Sequence, residues 1–118
     1  MTHGSILVVD DEPDICDLVA ETLESVGYPV IKAENGAEAM CFIDREKPRL
    51  ILLDMHMPLV QGRDLAAFAR SRGCDAPILV MTAALDAQGA ADDVDADGYI
   101  AKPFELSELI STVERLCA

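Results

Sequence analysis

Four consecutive apolar residues, Leu50-Ile51-Leu52-Leu53, run directly into an acid, Asp54. The run is far too short to cross a membrane, which takes about 20 apolar residues as a helix. As a strand it sends alternate side chains to opposite faces, so both faces have to be covered. Fully apolar strands of this kind belong to parallel sheets with helices packed on each side. Short runs of similar character recur at Ser5 to Val9, Pro29 to Ala33, Pro77 to Met81 and Gly98 to Ala101.

Between these runs the apolar period becomes that of a helix. Ile15, Leu18, Val19, Thr22, Leu23 and Val26 predict a helix with Asp11 placed to cap it, Pro13 in its first turn and Gly27 as its stop. Asn35 is placed to cap a second helix running to about Glu46, with Ala37, Met40, Cys41 and Ile43 inward. A loop with Pro58 and Gly62 leads to a third, from about Arg63 to Arg72. Asp86 to Val94 predicts a fourth with almost no apolar stripe, and Leu106, Leu109, Ile110, Val113 and Leu116 mark the last. Strands alternating with helices imply right-handed β-α-β crossovers. The expected fold is α/β: a flavodoxin-like, doubly wound (βα)5 three-layer sandwich whose five-stranded parallel sheet has the order 2-1-3-4-5. No linker or repeat divides the sequence, so one domain spanning residues 1–118 is expected.

A chain of 118 residues, 51% of them hydrophobic, suits one globular domain, able to bury roughly two-thirds of its unfolded surface. Met1 to Ser5 has no signal-peptide pattern and no run reaches membrane length, so a cytoplasmic location without membrane contact is expected. There are 9 Lys and Arg against 22 Asp and Glu, a formal charge of -13. That balance excludes direct nucleic-acid binding, which needs a basic footprint to displace counterions. Between Arg72 and Lys102 there is no basic residue, and Asp86, Asp92, Asp93, Asp95 and Asp97 read as a solvated acidic surface. Cys16, Cys41, Cys74 and Cys117 lack zinc-ligand spacing and form no visible disulfide framework. Cys16, Cys41 and Cys117 fall among apolar helix positions and read as buried, reduced thiols.

In doubly wound sheets, ligands bind outside the carboxyl ends of the strands, where the strand order reverses. Asp10 and Asp11 follow the first strand, Asp54 ends the third, Thr82 ends the fourth, and Lys102 follows the fifth just before Pro103. Carboxylates gathered at such an edge repel one another, so protons or a hard cation must neutralise them. Oxygen-only ligands favour Mg²⁺ or Mn²⁺. The Lys102 ammonium and the Thr82 hydroxyl suit an anion with three equatorial oxygens, and a carboxylate can attack phosphorus to give an aspartyl phosphate. Each piece alone has an ordinary explanation: turn chemistry for the Asp pair and Asp54, a strand-end hydroxyl for Thr82, a surface ammonium for Lys102. The weight lies in their joint occurrence, each closing a different strand at the same edge.

Four segments stand in a recognisable order and spacing: Ile6-Leu7-Val8-Val9-Asp10-Asp11-Glu12-Pro13; Leu50 through Asp54-Met55-His56-Met57-Pro58 with Gly62; Ile78-Leu79-Val80-Met81-Thr82-Ala83; and Tyr99-Ile100-Ala101-Lys102-Pro103-Phe104. In them the chain resembles, over essentially its whole length, the receiver domains of two-component response regulators, the chemotaxis regulators included. The resemblance implies that Asp54 is the phosphoacceptor, supplied by a phosphohistidine on a sensor histidine kinase or phosphotransfer protein. It implies that Asp10 or Asp11, Asp54 and the backbone carbonyl of His56 hold Mg²⁺, and that Thr82 and Lys102 bind the phosphoryl oxygens. Thr82 and Tyr99 would be the residues that move on phosphorylation, the Lys102-Pro103 peptide would be cis, and His56 and Ala84 would tune the phosphoryl lifetime. The Thr82 to Lys102 stretch is shorter than in many relatives and lacks the basic residues of charge-paired dimers, so a monomer is expected. The output partner is not identified.

Three other readings compete. A degenerate receiver would act as a phosphorylation-independent interaction module, but the residue set is complete. A small aspartyl-phosphate phosphohydrolase of the haloacid-dehalogenase kind would carry its nucleophile after the first strand. A flavin carrier would need a phosphate loop there, where Asp10, Asp11 and Glu12 would repel the phosphate.

Overall fold

A computed structural model describes residues 4–54, 62–82, 96–101 and 104–117. The segment expected to form the weak helix, Asp86 to Val94, lies outside them. Five strands, β1 (Ile6–Val9), β2 (Val30–Ala33), β3 (Leu50–Asp54), β4 (Ile78–Thr82) and β5 (Gly98–Ala101), form one sheet in the order β2-β1-β3-β4-β5. Every pairing is parallel. Among the described residues four helices accompany it: α1 (Pro13–Ser25), α2 (Gly36–Glu46), α3 (Gly62–Ser71) and α4 (Leu106–Cys117). The expected doubly wound class and strand order are both present.

Every residue of β1, β3 and β4 is buried. The strand alternation divides them between two cores. Leu7, Val9, Ile51, Leu53, Ile78 and Val80 pack with Ala39 and Ile43 of α2 and Leu65 and Ala69 of α3. Ile6, Val8, Leu50, Leu52, Leu79 and Met81 pack with Cys16, Val19 and Leu23 of α1 and Leu109 and Val113 of α4. Each large side chain taken wholly out of water contributes about 1.5–3 kcal/mol, so the two-sided sheet supplies most of the folding drive.

The helix ends follow local chemistry. Gly27 takes φ +101°, its N–H bonding the Glu24 carbonyl while that of Tyr28 bonds Leu23. This reversal closes α1 with a conformation that favours glycine. Asn35 caps α2 as expected, its side chain accepting from the Glu38 N–H at 2.8 Å. At the start of α1 the expectation fails: Glu12, not Asp11, occupies the N-cap position, without a side-chain cap bond. Pro13 opens that helix, and because it has no N–H it leaves one fewer donor to satisfy.

The expected inward face of α2 also shifts. Gly36, Ala39 and Ile43 are buried, with Met40 and Phe42 partly so, whereas Ala37 and Cys41 are exposed. Two small residues, Gly36 and Ala39, let the helix approach the sheet, and Ile43 follows them at helical spacing. That phase carries Cys41 outward, so of the cysteines expected to be buried only Cys16 is fully so, and Cys117 is half-buried. Leu18 of α1 and Val26, just past its end, likewise face solvent. Urea unfolding checks the phase of α2: Ile43→Ala is expected to cost about 2–5 kcal/mol by leaving a cavity, and Cys41→Ala less than about 0.5 kcal/mol.

Candidate functional site

The parallel register lines up the ends of four strands. Val9 pairs with Leu53, so Asp10 leaves β1 beside Asp54 at the end of β3. Asp54 pairs with Met81, and Thr82 pairs with Ala101 of β5. The sheet thus brings Asp10, Asp54 and Thr82 to one edge, where they are 0%, 2% and 1% exposed. Ionisable groups at such depth occur only where partners or ions meet them. Asp10, Glu12, Asp54 and Thr82 all engage neighbours, and no buried side-chain N or O atom among the described residues lacks a hydrogen-bond partner.

One carboxylate oxygen from each of Asp10, Glu12 and Asp54 lies within 4.8 Å of the others. Glu12 is not among the metal ligands expected from sequence, and Asp11, half-buried in the same loop, is not in this cluster. The Glu12 N–H bonds Asp10 Oδ1 at 2.9 Å, and Glu12 itself is extended at φ -96°, ψ 108°. The two-residue period of a strand therefore continues just past β1, and residues 10 and 12 share a side. That period was the signal available for finding Glu12. Three oxygens from hard carboxylates at this separation fit a hard divalent cation such as Mg²⁺, which binds through carboxylates and water.

The other expected site residues divide in two. Tyr99 stands on β5 opposite Val80 and is 47% exposed. His56, Ala84, Lys102 and Pro103 lie outside the described residues. Below the carboxylates, Cys16 of α1 is buried; burial, with the charge of Asp10 adding to it, pushes its thiol from 9.0 up to about 11. At neutral pH this sulfur stays protonated.

A doubly wound sheet with buried carboxylates and a hydroxyl at its carboxyl edge defines a class of α/β protein that gathers its polar residues at the strand ends. Comparison with family models is specific: residues 6–114 match the response regulator receiver domain, and the chain belongs to that family. The response regulator MprA of Mycobacterium leprae (strain TN) is 37% identical over 113 residues, which cover 94% of this chain and 50% of MprA. The chain spans about half the length of the curated relatives it matches. Among solved structures, the response regulator TrrA of Thermotoga maritima, in complex with Mg²⁺ and BeF, has TM-score 0.85 at 37% identity over 96% of this chain and 98% of TrrA. The chemotaxis protein CheY4 of Vibrio cholerae has TM-score 0.86 at 29% identity over 98% of this chain and 99% of CheY4.

Metal binding is checked by thermal or urea unfolding with and without Mg²⁺. At a hundred times its Kd the ion is expected to add about 2.7 kcal/mol to wild-type stability. Asp10→Asn, which keeps the oxygen that accepts from Glu12, is expected to lose most of that gain.

Proposed function

We propose that this receiver domain accepts a phosphoryl group on Asp54 from a phosphohistidine of a sensor histidine kinase or phosphotransfer protein. The observation that carries this reading is the near-complete burial of Asp54 beside Asp10 and Glu12 at the carboxyl edge. A carboxylate Oδ of Asp54 attacks phosphorus, an acyl-phosphate bond forms, and the phosphorus–nitrogen bond to the donor imidazole breaks. The imidazole leaves with the bonding pair and takes up a proton. Asp10, Glu12 and Asp54 would hold Mg²⁺, where the family resemblance assigns Asp10 or Asp11, Asp54 and the backbone carbonyl of His56. When bound, the ion supplies the positive charge that lets carboxylates and phosphoryl oxygens share one small space. The oxygen-only donor set also admits Mn²⁺.

Thr82 donates its hydroxyl hydrogen to a phosphoryl oxygen, and the Lys102 ammonium pairs with another. Tyr99, exposed on β5, is the side chain that turns inward when Thr82 moves toward the phosphoryl group. His56 and Ala84, which follow Asp54 and Thr82 by two residues each, tune how long the acyl phosphate survives hydrolysis. The product is a changed surface rather than a released metabolite, so the domain is a switch that assists its own phosphorylation. It works in the cytoplasm as a monomer, without direct contact with nucleic acid or membrane.

Intact mass after incubation with acetyl phosphate is the test. The expected result is a single phosphoryl adduct on wild type with Mg²⁺, and none when Mg²⁺ is omitted or when Asp54→Ala replaces the acceptor. An adduct that persists in Asp54→Ala overturns the assignment.

A further inference from the structure

Asp97 read from sequence as part of a solvated acidic surface; the structure leaves it exposed and also gives its polar groups specific partners. Its N–H donates to the carbonyl of Ile78, the first residue of β4, at 2.9 Å. Its carboxylate Oδ2 accepts from the N–H of that same residue, also at 2.9 Å. The side chain thus supplies the acceptor for a β4 N–H that lies before β5 begins, and extends the ladder by one bond. The Arg70 guanidinium stands 3.6 Å from the same oxygen. Through Nη1 it also donates to the carbonyls of Cys74 at 3.1 Å and Ala76 at 2.8 Å. One guanidinium therefore joins the end of α3, the turn into β4 and the start of β5.

We propose that Asp97 and Arg70 are a positioning pair for phosphoryl transfer, setting the register of β5 so that Lys102 is delivered to the phosphoryl oxygens. The inference rests on the reading of Asp54 as the acceptor. β5 is four residues long and pairs with β4 alone among the described strands, so few ladder bonds hold it in place. In its register Ala101 lies opposite Thr82, and the next residue in sequence is Lys102. A slip of one residue would reverse the face of every side chain on the strand, Tyr99 included. Asp10 and Glu12 stand in the loop after β1 and Asp54 ends β3, at the carboxyl edge, whereas this pair stands at the start of β4 and β5. Losing the pair therefore disturbs the phosphoryl-binding side of the site and leaves the cation side intact.

The test measures the initial rate of acetyl phosphate uptake at saturating Mg²⁺, together with Mg²⁺ affinity, for wild type, Asp97→Ala, Asp97→Asn, Lys102→Ala and the Asp97→Ala/Lys102→Ala double variant. Asp97→Ala is expected to slow uptake about tenfold with Mg²⁺ affinity unchanged, and to slow it no further when Lys102 is already alanine. Asp97→Asn keeps an acceptor oxygen and is expected to recover most of the rate; it also serves as the informative variant where Asp97→Ala does not fold. An unchanged rate in Asp97→Ala, or the same slowing in the Lys102→Ala background, overturns the proposal. A wild-type chain that takes up no phosphoryl group overturns the Asp54 reading itself, and the role of the pair with it.

Discussion

Burial of β1, β3 and β4 on both faces constrains everything else in this molecule. A strand with apolar side chains above and below has no room for polar groups along its length, so chemistry can stand only where strands end. The crossovers then select which end: all five strands point the same way, so their carboxyl ends lie along one edge of the sheet. Because β1 neighbours both β2 and β3, the chain leaves it toward one side of the sheet and returns on the other, and Asp10 and Asp54 emerge together.

That placement sets an electrostatic problem which the apolar core cannot solve. Asp10 and Asp54 are withdrawn from water almost completely, within 4.8 Å of the Glu12 carboxylate. Repulsion among such groups works against folding unless opposite charge is supplied, and the same demand makes the edge receptive to a divalent cation. Function in the receiver family is thus a consequence of an arrangement that the fold alone would not favour. In the proposed function a cation completes the cluster, and a phosphoryl group is the anion shared by that cation, a hydroxyl and an ammonium. Tyr99 is exposed on the strand registered to Thr82.

Most of this frame was legible in the sequence because it follows from periods. Leu50 to Leu53 implied a sheet covered on both faces, and the five apolar runs gave the strands to within a residue at either end. Asp10, Asp54 and Thr82 were found because each directly follows or closes an apolar run. What escaped depends on phase and geometry finer than a period. The inward face of α2 is set by the close approach of Gly36 and Ala39, which leaves the apolar Cys41 outside. Glu12 joins the cluster because the backbone remains extended one step beyond the strand, a matter of φ and ψ rather than of residue type. Asp97 resembled its acidic neighbours in sequence, and only the hydrogen bonds to Ile78 distinguish it.

The central claim is that one particular oxygen, on the side chain of Asp54, becomes phosphorylated. Borohydride reduction of the acyl phosphate, followed by peptide mass spectrometry, locates the phosphorylated side chain, because a reduced aspartyl phosphate becomes homoserine. The account requires homoserine at position 54 and nowhere else. Reduction at Asp10, Asp11 or Glu12, or a phosphoryl group that survives borohydride on a histidine or serine, would contradict it.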